Sequence, residues 1–320
     1  MVEVTFPPFR ARLPWWGADL QTLRNTIRPL PPDLPDSERV RLPLADGDTL
    51  LGLLNRPAMA CDRPLAVLIH GLTGDEGGSY MRSTARALLA ERYPVLRLNL
   101  RGAGPARALC RGEYHAGRSD DIRAALASLP ASLTSRGVVL VGYSLGGNVL
   151  LKLLGEGEFP VPVRAAATVS APIDLAATSR HFLRLRNQVY HRWLIGRMRA
   201  DALATPGLGA DWAERVRGSR TVWEFDDRFI APRHGYADAA HYYQVNSANQ
   251  FLPRIQVPTL AIHALDDPWI PGASYLSVEW SKCPAVKALL PRGGGHVGFH
   301  AAGGVWHDQC LVRFFARLVV

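Results

Sequence analysis

Lysine is nearly absent from this chain. Of its 37 basic residues only Lys152, Lys282 and Lys287 are lysines; 28 acids leave a formal charge of +9. The arginines that supply the excess are dispersed, which argues against a nucleic-acid partner, because such a site gathers its cations on one face or element. A basic surface of this kind still favours acidic substrates, or weak peripheral contact with an anionic membrane. Cysteine is scarce too. Cys61, Cys110, Cys283 and Cys310 form no close pair and no metal-like spacing, which excludes a disulfide framework and fits a reducing compartment. There is no H-E-x-x-H pair and no structural-zinc spacing, so neither a metal nor a cofactor is expected. No uninterrupted apolar run is long enough to span a bilayer. The start, "MVEVTFPPFRARLPWW", has no apolar stretch after a basic opening. The expectation is a soluble, cytoplasmic protein. Internal repeats are absent, and the 29 glycines and 24 prolines are spread out rather than run together, which excludes low complexity.

What is present is core material: 320 residues, 48% of them hydrophobic. Residues 1–36, rich in Pro, Arg and Trp, read as an arm packed on the main domain with little regular strand. "ERVRLPLADGDTLLGLL" reads as a hairpin turning at Asp46-Gly47-Asp48. Beyond it, continuous apolar runs alternate with helical patterns. "PLAVLIHG", "YPVLRLNLRG", "GVVLVGYS" and "VRAAATVSAP" have the character of buried parallel strands. Between them, residues 79–92 and 119–129 are helical in period, the latter with Ser119 as its N-cap. The alternation predicts an α/β fold with a mostly parallel central sheet and helices on both faces. It breaks from about Leu175 to Phe251 and resumes with "VPTLAIHALDDP", "AVKALLPRGGGH" and a last helix. The predicted organisation is a core of 37–174 and 252–320 with a helical cap insertion, 175–251.

"VGYSLGGNVLL" places Ser144 between Gly142 and Gly146 where a strand becomes a helix. This is the G-x-S-x-G nucleophile elbow, in which the serine takes a strained backbone conformation and side chains two residues away on either side would collide. A serine hydroxyl needs a base, and the base needs an orienting carboxylate, in the chain order serine, acid, histidine. His296 in "PRGGGHVGFH" follows the last strand and is the expected base, with His300 the alternative. Asp267 in "DDPWIP" is the expected acid, with Asp266 the competitor that caps the loop. Two amides should hold an oxyanion: that of Leu145, after the serine, and that of Leu72, in the loop "HGLTG" after the third strand. His70 is expected to fix that loop rather than to act as base.

These motifs resemble the α/β-hydrolase superfamily and, more narrowly, its YheT-like branch of predicted esterases and lipases. The resemblance covers most of the chain, including "DLQT", "HGLTG", "VGYSLGGNVLLKLLGE", "ALDDPWIP", "GGHVGF" and the long stretch from Phe225 to Leu260. It implies Ser144 as nucleophile, Asp267 as relay acid and His296 as base. The implied reaction is hydrolysis of carboxylic esters, with medium- or long-chain acyl esters, small-molecule or lipid, as substrates. The arm departs from the pattern in lacking a histidine before "LQT". The alternatives are an acyltransferase that passes the same acyl-enzyme to an alcohol, and a non-catalytic binding protein of the same fold. The complete serine, acid and histidine set argues against the second. An aspartate would stand at the elbow of a dehalogenase or epoxide hydrolase.

In the insertion, Leu185, Val189 and Trp193 recur at helical spacing among many arginines. The favoured expectation is a helix packed on the core through that apolar face, with a solvated basic back; the sharper one is a basic amphipathic surface that meets lipid. Asp226 and Asp227 are expected to hold the insertion through arginine pairs.

Overall fold

The computed structural model describes residues 4–28, 32–59 and 62–318, so Cys61 lies outside the described residues. The apolar runs form the strands of an eight-stranded sheet. The hairpin is β1 (Glu38–Pro43) and β2 (Thr49–Asn55), paired antiparallel with Leu42 opposite Leu50. Then come β3 (Leu65–Ile69), β4 (Val95–Asn99), β5 (Val138–Tyr143), β6 (Val163–Val169), β7 (Thr259–Ile262) and β8 (Val286–Leu289). Their order is β1-β2-β4-β3-β5-β6-β7-β8. β2 runs antiparallel to β4, and every pair from β4 to β8 is parallel.

Every residue of β3, β4, β5 and β7 is buried, because both faces of the sheet are covered and alternate side chains serve opposite layers. Val138 and Leu140 of β5 join one core with Ile122 and Ala125 of α3 (Ser119–Ser128) and Val149 and Leu153 of α5 (Leu145–Glu156). Val139 and Val141 join the other with Met81 and Leu88 of α2 (Ser79–Ala90) and Phe314 and Phe315 of the C-terminal helix, Trp306–Leu318. A short helical turn, α4 (Ala131–Thr134), leads into β5. From β3 the chain goes to β4 on one side and then returns to β5 on the other. That reversal leaves a crevice at the C-terminal ends of β3 and β5, where open α/β sheets bind ligands.

Three expectations are corrected or extended. Ser119 does not cap α3: Arg118 holds the cap position with no side-chain bond. The Ser119 hydroxyl instead donates to Glu156 (2.7 Å) and accepts from Lys152 (3.1 Å), drawn in by that half-buried ion pair. The arm contains an 11-residue helix, α1 (Gly17–Ile27). Between β6 and β7 lie α6 (Leu175–Phe182), α7 (Gln188–Leu203), α8 (Ala210–Gly218), α9 (Val222–Phe225), a π-helical turn (Asp226–Ile230), α10 (Ala231–Arg233) and α11 (Ala239–Asn246). They share a core that includes Leu194, Met198, Val216, Phe229 and Tyr243. Here α7 does not bury the expected apolar face. It packs through His191, Leu194, Ile195, Met198 and Ala202, while Leu185, Val189 and Trp193 are exposed. The helix has apolar residues on two faces, and the larger set wins the interior.

One buried cation ties the hairpin to the parallel sheet. Arg101, just after β4, makes a two-pronged contact with Asp121 of α3 (2.8 and 2.6 Å) and reaches Asp48 (2.6 Å) and Asp46 (2.7 Å) in the hairpin turn. Burial opposes the charge, but these carboxylates outweigh it and hold the guanidinium firmly protonated. Replacing Arg101 with Ala would leave Asp48 buried without its counter-charge and Asp121 with only Arg118, at 3.9 Å, at an expected cost of about 3–5 kcal/mol. Urea unfolding at neutral pH measures it.

Candidate active site

Ser144 stands between β5 and α5 with φ 48° and ψ −123°, a left-handed conformation that a residue with a side chain rarely adopts. Close approaches on both sides enforce it. A Cβ on Gly142 would lie 2.7 Å from the carbonyl oxygen of Gly146, and one on Gly146 would lie 2.3 Å from that of His70. The hydroxyl is thereby lifted clear of the strand at the N-terminus of α5, where unpaired amides and the helix dipole favour negative charge.

His296 brings Nε2 to 3.1 Å from Ser144 Oγ and Nδ1 to 2.9 Å from Asp267 Oδ2. Asp267 Oδ1 accepts from the amides of Trp269 (2.8 Å) and Ile270 (3.0 Å), which fixes the carboxylate's rotation. Burial alone would raise the Asp267 carboxyl. The imidazole of His296 facing it and the Ile270 amide more than offset this and hold it below its ordinary value. His263 is pushed down to about 4 by burial, so it stands neutral beside the acid. Trp269 stacks on the His296 ring at 4.5 Å. The two competitors lie elsewhere. Asp266 accepts from the Gly295 amide (2.9 Å) and so ties down the histidine loop. His300 is buried, its Nε2 has no partner among the described residues, and burial pushes it down to about 3.

The histidine loop rests on α1, a support that sequence reasoning did not find. The Thr22 hydroxyl accepts from the His296 amide (2.8 Å). Gln21 is buried and clamps His300 at both ends: its amide donates to the His300 carbonyl (3.1 Å) and its carbonyl accepts from the His300 amide (2.6 Å). The loop lies so close that a Cβ on Gly295 would come within 2.5 Å of the Ala18 carbonyl oxygen, and one on Gly298 within 2.5 Å of that of Gln21. "DLQT" carried the signal, without a partner to attach it to.

Leu72 and Leu145 flank the serine. A Cβ on Gly71 would lie 2.9 Å from Ser144 Cβ, so the β3 loop passes against the hydroxyl. Leu145 opens α5, where amides lack intrahelical partners. His70 fixes the loop. Its Nε2 accepts from the Leu100 amide (3.0 Å), which leaves Nδ1 to donate to the Gly71 carbonyl (2.7 Å).

Two hollows meet at Ser144. An inner cavity of about 110 Å³ is largely apolar, with Leu72, Leu145, Phe182, Leu194, Met198 and Phe229 in its wall. A wider groove of about 630 Å³ runs past His296 between α1 and α7. Asp226 borders the inner cavity, and neither it nor Asp227 pairs with an arginine among the described residues. Asp226 accepts from the Tyr243 hydroxyl (2.6 Å), and Asp227 accepts from the Ala239 amide (3.0 Å). The π-turn directs Asp226 inward, among aromatic rings, where no cation is at hand. Burial raises its carboxyl from 3.8 to about 7.

Two measurements follow. Gln21→Ala should slow covalent labelling of Ser144 by a fluorophosphonate by up to about 100-fold, since a misplaced base costs that much; second-order labelling rates on folded protein test it. Asp226 holds an extra proton in the folded state between about 4 and 7, so its contribution to stability is full at low pH and is lost as pH rises through 7. Asp226→Asn removes that loss. The thermal midpoint of the variant should therefore gain on that of the parent as the pH is raised from mildly acidic to mildly alkaline.

Residues 64–302 match the α/β-hydrolase fold family. The candidate esterase YheT of Escherichia coli is 36% identical over 84% of this chain and 80% of its own. The monoacylglycerol lipase of Saccharomyces cerevisiae is 29% identical over 79% of this chain, which spans only 59% of that protein's length. Among solved structures an esterase of Pyrococcus furiosus superposes with a TM-score of 0.61 over 92% of this chain and 96% of its own; at 16% identity it shows the fold alone. With a parallel sheet, a strained serine at its switch point and a close relative covering most of its length, the chain belongs to the α/β-hydrolase family.

Proposed function

We propose that this protein hydrolyses carboxylic esters through an acyl-enzyme on Ser144. The observation that carries the reading is the unbroken hydrogen-bond line from Ser144 through His296 to Asp267, opening onto an apolar cavity. Asp267 accepts from Nδ1–H and so leaves Nε2 as the proton acceptor. Ser144 Oγ attacks the ester carbonyl as Nε2 takes its proton, and the amides of Leu72 and Leu145 hold the oxyanion. The imidazolium returns the proton to the leaving alcohol. Water, deprotonated in turn by His296, then releases the acid.

The same geometry orients the substrate. The alcohol must leave on the side of His296, which lines the groove and not the inner cavity. The acyl chain therefore occupies the apolar inner cavity, and the bulkier alcohol portion takes the wider groove. An apolar acyl site supports medium- or long-chain acyl esters as substrates, in keeping with the lipase and esterase names of the relatives. In this reading residues 175–251 are a cap over the core formed by 37–174 and 252–320, and residues 1–36 are an arm packed on it.

Ser144→Ala should remove nearly all turnover of chromogenic esters while the circular dichroism spectrum is unchanged. Asp267→Asn should cut kcat by as much as about 10⁴, because an amide can fix the wrong imidazole tautomer. Asp266→Asn, which only loosens the loop, should cost far less. Ester turnover in Ser144→Ala within tenfold of the parent would overturn the assignment, and a more damaging Asp266→Asn would move the relay role to that residue. A chain-length series on the parent measures the acyl site.

A further inference from the structure

The outer face at the start of α7 is largely uncovered. Leu185, in the short helical turn Leu185–Asn187 that leads into α7, is 93% exposed, Val189 is 80% exposed, and Trp193 is half-exposed, with one side of its ring against Trp269. On a helical wheel Val189 and Trp193 lie about 40° apart, and the buried residues His191, Leu194 and Met198 lie on the opposite side. Arg186 and Arg197 border this stripe on one flank, and Arg192 and Arg199 on the other. Exposed apolar side chains are normal when scattered; these are aligned and continue onto α1. There Leu20, Leu23 and Ile27 form a second exposed stripe, preceded by Leu13 and Trp16. Asp19 joins the two helices by accepting from Arg186 (3.1 Å) and from the Tyr190 hydroxyl (2.8 Å). Leu23, Val189 and Trp193 line the groove that leads to Ser144 and His296.

We infer that this rim is a lipid-docking surface, which sets the mouth of the groove on an anionic bilayer. The inference deepens the ester-hydrolase reading, on which it rests for the purpose of the surface though not for its existence. An apolar stripe with arginines on both flanks is the pattern of a helix lying in a membrane interface, with tryptophan at headgroup depth. Charge separates a bilayer from a second copy of the chain. A two-fold pairing through this face would bring the arginine flanks of one copy close to those of the other, whereas anionic headgroups would neutralise them. Among the described residues no helix is long and apolar enough to cross a membrane, so contact is by lying on the surface. A lipid ester could then enter the groove without its apolar chain crossing water.

The test is flotation with phosphatidylcholine vesicles, with and without phosphatidylglycerol. The parent should float with the anionic vesicles and be released by salt. The double variant Leu185→Glu/Ile27→Glu, whose changed residues lie outside both hollows, should bind these vesicles at least about tenfold more weakly. It should turn over a short, water-soluble ester as the parent does. A parent that stays with the soluble fraction overturns the inference, as does a variant that floats like the parent. A parent that is dimeric by light scattering and does not float overturns it in favour of a second copy. Flotation requires no turnover. If the parent floats, the variant does not and neither cleaves any ester, the docking surface stands and the ester reading fails.

Discussion

The site depends on one steric constraint, the crowding of backbone around Ser144. β3 brings the His70 carbonyl to where a Cβ on Gly146 would stand, and the start of α5 fills the space beside Gly142. With side chains excluded at both positions, strand, loop and helix close together, and Ser144 takes a left-handed conformation that would cost of order 1–3 kcal/mol in isolation. The surrounding sheet supplies that energy. The strained residue is bracketed by β3 and β6, whose residues are nearly all apolar and buried. A pose set by backbone rather than by a rotamer keeps the hydroxyl in place before any substrate arrives.

The imidazole is held differently, by long-range polar contacts. Its acid is locked by two amides, its loop is tied by Asp266, and α1 supports it from below through Gln21 and Thr22. The arm therefore belongs to the chemistry as well as to the packing. One helix carries the polar clamp on the histidine loop on its inner side and the exposed Leu20, Leu23 and Ile27 on its outer side.

The parallel sheet and the elbow were legible in the sequence because both are written locally, in apolar runs and in five consecutive residues. The nearness of Ser144, Asp267 and His296 was legible because each follows a strand, β5, β7 and β8, at the C-terminal end of the parallel sheet. The role of Gln21 was not, since its partner lies 279 residues away and no periodicity encodes that distance. On α7 the spacing revealed an apolar face without revealing that a second one existed, and only packing decides between two. Ser119 looked like a cap because caps are local, but the Lys152–Glu156 ion pair claimed its hydroxyl. Asp226 and Asp227 were expected to pair with arginines, yet Asp226 bonds Tyr243 and Asp227 the Ala239 amide, because packing and not sequence spacing decides which side chain faces a buried acid.

Asp226 also bears on what the inner cavity can accept. A carboxylate in the wall of an acyl site would repel the apolar chain and hold water. Here burial raises the group to about 7, so that near neutrality a large share of molecules carry it as a neutral acid bonded to Tyr243. The shift that makes the residue costly to ionise thus takes one charge out of the cavity wall near neutrality, whereas Glu113, also in that wall, pairs with Arg233 and His234. Between about 4 and 7 the fold loses stability with rising pH, because only the unfolded chain gives up this proton freely, and near 7 the carboxyl ionises into the same apolar space. On the proposed orientation, with the acyl chain in the inner cavity, its binding and the stability of the fold would be coupled through this single proton.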